Sequence, residues 1–545
     1  MTSQKNKISL LGNCDVVVIG GGLAALSAAI SAADNGASVL LVNKGTTGKS
    51  GSSAKAAGIF SAAFGHGDLT NRSIEDSAEQ HALDTLRIGF DIGDSALVRH
   101  ITNNAQSAVH WLEKMGIEFS KANDGGYVQL NAPGNSCPRG VSAVGGGNTV
   151  MEKLIKQAGQ RGVLIINETI ARSLLIKSGI VHGVSFHGTE QYIVETKAVI
   201  LAAGGATGMF PSISGDSANI GSSLMLGYDS GALLGNLEFI EFTLIYRVHG
   251  QILRIAGMAP FLSRGGKLFN RNGDDLFDLH FPNEPAEHVG RAEILRMVEG
   301  EIIANRGPVM LDCRHFNKAT WAEFQSSQGS TTLDKIAAAG CNPKIEPIEV
   351  VPAAHSALAG LVIDCKAQTN VRGLFVAGEN ATGIHGAGRL SGNGLTACTV
   401  MGLTAGKTAS NLASKTKSLF TLGKTSREAL AKAIMLANPL NVSTPPKKLL
   451  PLIEQVRQLV GQSLGIIRND TDLNVAKHQL ENLKSKIGVL NKDNKEVFEA
   501  HQMTRLACMM TQAAFDRKES RGVQFKSDHQ SMKNSWNRSQ LFNSD

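Results

Sequence analysis

Three small residues near the amino terminus, Gly20, Gly22 and Ala25, are spaced G-x-G-x-x-A. Small residues at that spacing suit one kind of chemistry. The first permits a tight turn, the second lets backbone approach a pyrophosphate, and the third lets a helix pack close to a strand. The preceding stretch, DVVVI at 15–19, is the β-branched apolar run of a fully buried parallel strand. Leu23, Ala24 and Ala25 open a helix running toward Asn35, whose first N–H groups and positive dipole end would face phosphates. A second strand, ASVLLVN, follows and ends at Asn43, where an acidic residue would usually grip ribose hydroxyls. Asparagine can still donate and accept there. Strand, glycine turn, helix and strand together predict a dinucleotide site.

The loop after Asn43, residues 44–65, narrows the choice of dinucleotide. It carries Lys44, Ser50, Gly51, Ser52 and Ser53, then the small residues Ala56, Ala57 and Gly58. Such a backbone can press against a flavin, which favours FAD over NAD. Two further apolar strands, KAVILAAGG at 197–205 and VRGLFVAGEN at 371–380, each end in a glycine turn. In this tripartite plan the first segment binds ADP, the second returns the chain to the flavin, and the third closes on the isoalloxazine.

These elements must be carried by a chain of 545 residues, which is too long for one core and implies roughly two to four domains. No apolar run reaches the roughly 18 residues that span a bilayer. The amino-terminal stretch also lacks the apolar core of a secretory signal, so a cytoplasmic location is expected. The formal net charge is +7, with Lys and Arg scattered. Nucleic-acid binding needs a concentrated basic face and is not expected; mild surface basicity or an anionic substrate accounts for the charge. Seven cysteines stand singly with no C-x-x-C pair, which argues against zinc or an iron–sulfur cluster within this chain.

From about residue 14 to about 528 the sequence resembles the flavoproteins of fumarate reductase, succinate dehydrogenase and L-aspartate oxidase. The pieces that carry the resemblance are LEFIEF at 237–242, GRAEILR at 290–296, HSALAGL at 355–361, GENATGIHGAGRLSGNGL at 378–395 and KESRGVQFKSD at 518–528. The last resembles an arginine-rich helical tail. The resemblance implies an α/β fold: a Rossmann-like FAD-binding domain with an inserted α+β capping domain and a C-terminal helical domain. Its parts are expected at 1–240 and 353–412 for the FAD domain, 241–352 for the cap and 413–545 for the helices. Within the last, Leu449, Leu450, Ile453, Val456, Leu459 and Val460 fall mostly on one helical face. The resemblance also adds Asp216, Glu379, Gly394 and Leu395 to the FAD contacts.

In that family a hydride passes between flavin and one carbon of a carbon–carbon bond beside a carboxylate, and an arginine moves a proton at the neighbouring carbon. By resemblance Arg291 is that arginine, His355 and Arg389 hold a substrate carboxylate, and His385 flanks the flavin. Arginine, with its pKa above about 12, can act only as a relay, and Glu241 is the favoured acid beside it. Three departures stand out. Gly51 occupies the position of the flavin-attaching histidine, so FAD is expected without a covalent bond. Thr243, Leu244 and Ile245 replace histidine, proline and threonine. Met258 and Ala259 stand where a threonine–glutamate pair is usual. One carboxylate cradle is thus expected beside an apolar wall of Leu244, Ile245, Met258 and Phe261, which suits a monocarboxylate. Tyr246, Arg247, His249 and Arg254 offer an alternative grip on an anionic tail. The expected activity is an FAD-dependent reductase or dehydrogenase acting on a small carboxylate other than succinate or fumarate. An electron-transfer subunit paired with a separate iron–sulfur chain, as in adenylylsulfate reductase, and an amino-acid oxidase are the alternatives.

Overall fold

The computed structural model describes residues 8–65, 76–132, 134–186, 191–255, 258–262, 264–283, 289–326, 329–416, 428–430, 432–433 and 446–544. The apolar amino-terminal run extends into a longer strand than its buried core, β1 (Ile8–Ile19). Val16, Val17 and Val18 are fully buried, as a strand covered on both faces requires. Helix α1 (Leu23–Asp34) follows directly, then β2 (Val39–Val42), β3 (Leu164–Ile166), the pair β4 (Ala171–Lys177) and β5 (Ile180–Phe186), and β6 (Gln191–Leu201). β3, β2, β1 and β6 lie side by side and parallel. β6 is long enough to do two jobs. Its first half pairs antiparallel with β5, which in turn pairs with β4. Its second half is left for a strand that arrives much later.

Between them lies an insertion built on β7 (Ile240–Val248), β8 (Gln251–Leu253), β9 (Lys267–Phe269), helix α2 (Arg291–Ile303), β10 (Val309–Asp312) and β11 (Ile348–Ala357). The strands form a separate antiparallel sheet ordered β8-β7-β11-β10-β9. The chain then returns to the first sheet as β12 (Leu374–Val376), parallel to Val199–Leu201 of β6. Helix α3 (Asn393–Lys415) lies against α1. Gly402 makes that approach possible, because a methyl there would sit 2.6 Å from the Ala24 carbonyl.

Helices α4 (Leu449–Ser463), α5 (Asp470–Gly488) and α6 (Lys495–Asp516) pack together at the carboxyl end. Leu449, Val456 and Val460 are buried and Ile453 and Leu459 partly so, but Leu450 is 67% exposed. Leu450 is one residue, about 100° of helix, beyond Leu449, and the apolar stripe ends there. The 518–528 stretch is also not helical, because α6 stops at Asp516. It runs as an irregular segment with one short strand, Phe525–Lys526. Buried ion pairs hold it instead: Arg517 with Glu238 at 2.6 Å and Glu519 at 2.8 Å, and Arg521 with Glu519 at 2.7 Å. The architecture is therefore α/β, a Rossmann-like domain with an inserted α+β cap and a C-terminal helical domain. Among the described residues no helix is long and apolar enough to cross a membrane.

Candidate active site and flavin cradle

The β1–α1 turn gathers Gly20, Gly22, Leu23, Ala24 and Ala25 as the spacing predicts. Gly20 has φ +129°, and a methyl there would strike the Ala202 carbonyl at the end of β6. The α1 amino terminus has no side-chain cap from Gly22. Of its first N–H groups, that of Leu23 is taken by the Ser53 hydroxyl at 3.1 Å. Asn43, buried at the end of β2, donates to the Ser50 hydroxyl at 3.1 Å. The loop is then clasped by Asp216, whose carboxylate accepts from the Gly51 amide at 3.1 Å and pairs with Lys55 at 2.8 Å. Burial raises the Asp216 pKa, but Lys55 and the amides of Ala218 and Gly51 outweigh it and hold it low. The Ser52 hydroxyl accepts from Asn219 at 3.1 Å.

Two predicted contacts have other partners. The Lys44 ammonium pairs with Glu499 of α6 at 2.7 Å, tying the C-terminal helices to the loop. Gly58 is pressed against Gly146, 2.8 Å from where a methyl would stand.

At the opposite end, Glu379 follows β12 and accepts from the Ala357 amide at 2.8 Å and, weakly, from the Ser356 hydroxyl at 3.4 Å. Burial pushes its carboxyl up to about 7, against the pull of the Ala357 amide and Arg389. Gly394 and Leu395 lie in the first turn of α3, whose amino end also lacks a side-chain cap. The buried His385 Nδ1 has no hydrogen-bond partner among the described residues, and burial draws its imidazole down to about 3. FAD fits this set. Two uncapped helix termini offer donors to its phosphates and ring carbonyls, and an orphaned buried nitrogen lies with them.

The three predicted catalytic residues converge on Glu241, which β7 supplies. One Glu241 oxygen accepts from Arg291 Nη1 at 3.1 Å, and the other from Arg389 Nε at 2.9 Å and Nη2 at 2.7 Å. Arg291 is the first residue of α2, next to its Gly290 N-cap. Burial pushes the Glu241 carboxyl up, but Arg389 and Arg291 outweigh it and hold it down at about 2. In this geometry the ionised Glu241 is the counter-ion shared by the two guanidiniums. The Arg291 side chain is 37% exposed, so water can reach it directly.

His355 owes its position to an irregularity in pairing. Glu241 faces Ser356 and Phe242 faces Ala354, so His355 is the extra residue of a bulge in β11. A bulge of this kind re-aims a side chain. Ser214 fixes the ring through Nδ1 at 2.8 Å. Burial lowers His355 to about 3, Glu241 opposing and the two arginines assisting, so the imidazole is neutral. Neither Ser53 nor Ser214 belongs to a motif, and sequence reasoning assigned neither its partner.

The expected apolar wall is not assembled as one surface. Strand alternation puts Glu241, Thr243 and Ile245 on one face of β7 and Phe242, Leu244 and Tyr246 on the other. Leu244, Met258 and Phe261 belong to the main core, where Phe261 stacks near Tyr246 and Phe324. Ile245 packs separately with Val351 and Ala353. The side chain of Ala259 lies outside the described residues. The alternative anion grip is also dispersed: Tyr246 is in the core, Arg247 pairs with Glu349 at 2.5 Å, and the exposed His249 lies 3.3 Å from the Gly340 carbonyl.

Comparison with known proteins shows the family of the fold that carries this site. Residues 15–395 match the family described as FAD binding domain, and residues 453–545 match the family described as fumarate reductase flavoprotein C-term. An uncharacterized FAD-dependent oxidoreductase of Methanocaldococcus jannaschii is 30% identical over 96% of this chain and 95% of its own. L-aspartate oxidase of Agrobacterium fabrum is 30% identical over 94% of this chain and 90% of its own. Among solved structures, the flavoprotein of E. coli quinol fumarate reductase superposes with a TM-score of 0.81 at 22% identity, covering 99% of this chain and 97% of that one. At that identity the likeness establishes the fold.

Proposed function

The chain belongs to the FAD-binding flavoprotein family of fumarate reductase and L-aspartate oxidase, and from that premise we propose that it moves a hydride at a carbon–carbon bond next to a carboxylate. It is an FAD-dependent oxidoreductase. One observation supports the finer reading above the rest. Residues from four distant segments, Glu241, Arg291, His355 and Arg389, meet around a single buried carboxylate.

Bound FAD supplies the acceptor or donor for the hydride. Gly20–Ala25 and the loop at Ser50–Ser52 would hold its ADP half, and Glu379, Gly394 and Leu395 its flavin half. Arg389 and His355 hold the substrate carboxylate, since a planar guanidinium meets a carboxylate through parallel N–H donors. Glu241 already takes the Nε–Nη2 edge of Arg389, so the Nη1–Nη2 edge, through Nη1 and the second Nη2 hydrogen, is left for substrate. Arg291 delivers or removes the proton at the neighbouring carbon and exchanges it with water at its exposed edge. Its charge also stabilises the enolate-like transition state. Glu241 keeps both guanidiniums in place.

The same reading takes the chain as cytoplasmic, with none of its seven cysteines in a disulfide, and assigns any iron–sulfur partner to a separate chain. The proposed cap, residues 241–352, takes β7 and β11 as the strands that enter and leave it, and the helical domain is proposed to begin near 413, at the end of α3. The test is anaerobic titration of the purified yellow protein with a panel of saturated and unsaturated carboxylates. Bleaching or reoxidation of the flavin by a member of the panel is expected. No response to any of them, with an intact flavin, would refute the proposal.

A further inference from the structure

A carboxylate built into a carboxylate-binding cleft has consequences for what else can enter. Two guanidiniums and one ionised Glu241 leave one net positive charge among them. The neighbouring imidazoles add none, because burial keeps His355 and His385 neutral. Glu379, which also faces Arg389, adds no positive charge and, with its carboxyl pushed up by burial to about 7, lowers the total further whenever it is ionised. Among the described residues, three basic side chains of the surrounding elements are committed elsewhere: Arg296 to Glu293 at 2.7 Å, Arg247 to Glu349 at 2.5 Å, and Lys55 to Asp216 at 2.8 Å. At most one substrate carboxylate can be neutralised. A second would be desolvated without a counter-charge.

We propose that Glu241, by pairing with Arg389 and Arg291 at once, is the residue that restricts this site to substrates bearing a single carboxylate. The inference rests on the carboxylate reading given above and names its substrate class. It differs from the sequence expectation in its cause. An apolar wall would exclude a second carboxylate by the surface it meets, whereas Glu241 excludes it by cancelling the charge that would receive it. Glu241 acts through the two arginines, so it is a positioning and specificity residue, and Glu241→Gln tests it without changing side-chain size.

Crotonate and fumarate are suitable probes, because they differ by a methyl against a second carboxylate. Each is titrated anaerobically into the FAD-loaded protein, and the dissociation constant is read from the flavin absorbance change. The wild-type protein is expected to bind crotonate at least about tenfold tighter than fumarate. In Glu241→Gln the ratio should move toward fumarate by at least about tenfold, whatever happens to either affinity alone. Loss of packing would weaken both ligands together and leave the ratio in place. An unchanged ratio, with both still binding, would overturn the role of Glu241 and leave the carboxylate site standing. Wild-type protein that binds fumarate as tightly as crotonate would overturn it without any variant. A flavin that responds to neither ligand would overturn the carboxylate reading and this inference with it.

Discussion

Removing Arg389 should expose how strongly the site depends on its central ion pairs. In Arg389→Ala the Glu241 carboxylate, 5% exposed, loses two of its three donors. Breaking a buried pair from one side costs roughly 3–5 kcal/mol, because the remaining charge is left uncompensated. Arg291 remains at 3.1 Å and reaches solvent, so the lower end, about 3 kcal/mol, is expected. Proton linkage gives a similar size. The two arginines overcome burial and lower the Glu241 carboxyl from 4.5 to about 2, which at about 1.4 kcal/mol per unit is roughly 3 kcal/mol. A lowered folded-state pKa means this stability is complete above about pH 4.5 and is lost as pH falls through about 2. Urea unfolding of the FAD-loaded protein at pH 7, followed by far-UV circular dichroism and flavin fluorescence, measures the loss. Arg389→Ala combined with Glu241→Gln should recover part of it, about 1–2 kcal/mol, since the unpaired charge is gone. A loss below about 1 kcal/mol, or a double variant no better than the single, would refute the reasoning.

Further outcomes follow from other parts of the site. Acid precipitation should release all yellow colour into the supernatant, because Gly51 offers no nucleophile for a covalent link; colour kept in the pellet would contradict it. Arg291→Lys and Arg291→Ala should retain FAD and bind substrate, yet turn over at least about a hundredfold more slowly; near-normal steady-state rates would remove Arg291 from the proton path. Gly205→Ala should lose FAD during gel filtration, because its new methyl would stand 2.5 Å from the Glu379 carboxylate; full retention would show that Glu379 can shift freely.

The parts of this molecule that were legible in the sequence are those written in consecutive residues. Gly20 to Ala25 need only their neighbours to form a turn and a helix end, and Asn43 follows because the next strand must stop beside them. The catalytic cluster is different in kind. Glu241, Arg291, His355 and Arg389 are brought together by two sheets and an insertion, so their convergence was legible through resemblance and not through spacing. Details that turn on one residue of register were the least accessible. Leu244 reads as apolar in either direction, and strand alternation alone sends it into the core while Glu241 faces the arginines. Leu450 and Leu449 differ by one helical step and lie on opposite sides of the burial boundary. His355 depends on a skipped pairing in β11, which no composition signals. The charged tail after α6 is expected as helical by resemblance alone. It folds otherwise, with buried Arg517 paired across the chain to Glu238 and Glu519 paired to both Arg517 and Arg521, each two residues away. The observed segment brings Arg517, itself paired with Glu519, onto Glu238, three residues before Glu241. The carboxyl-terminal ion network and the active-site ion network are therefore joined through one short run of β7 and the residues just before it.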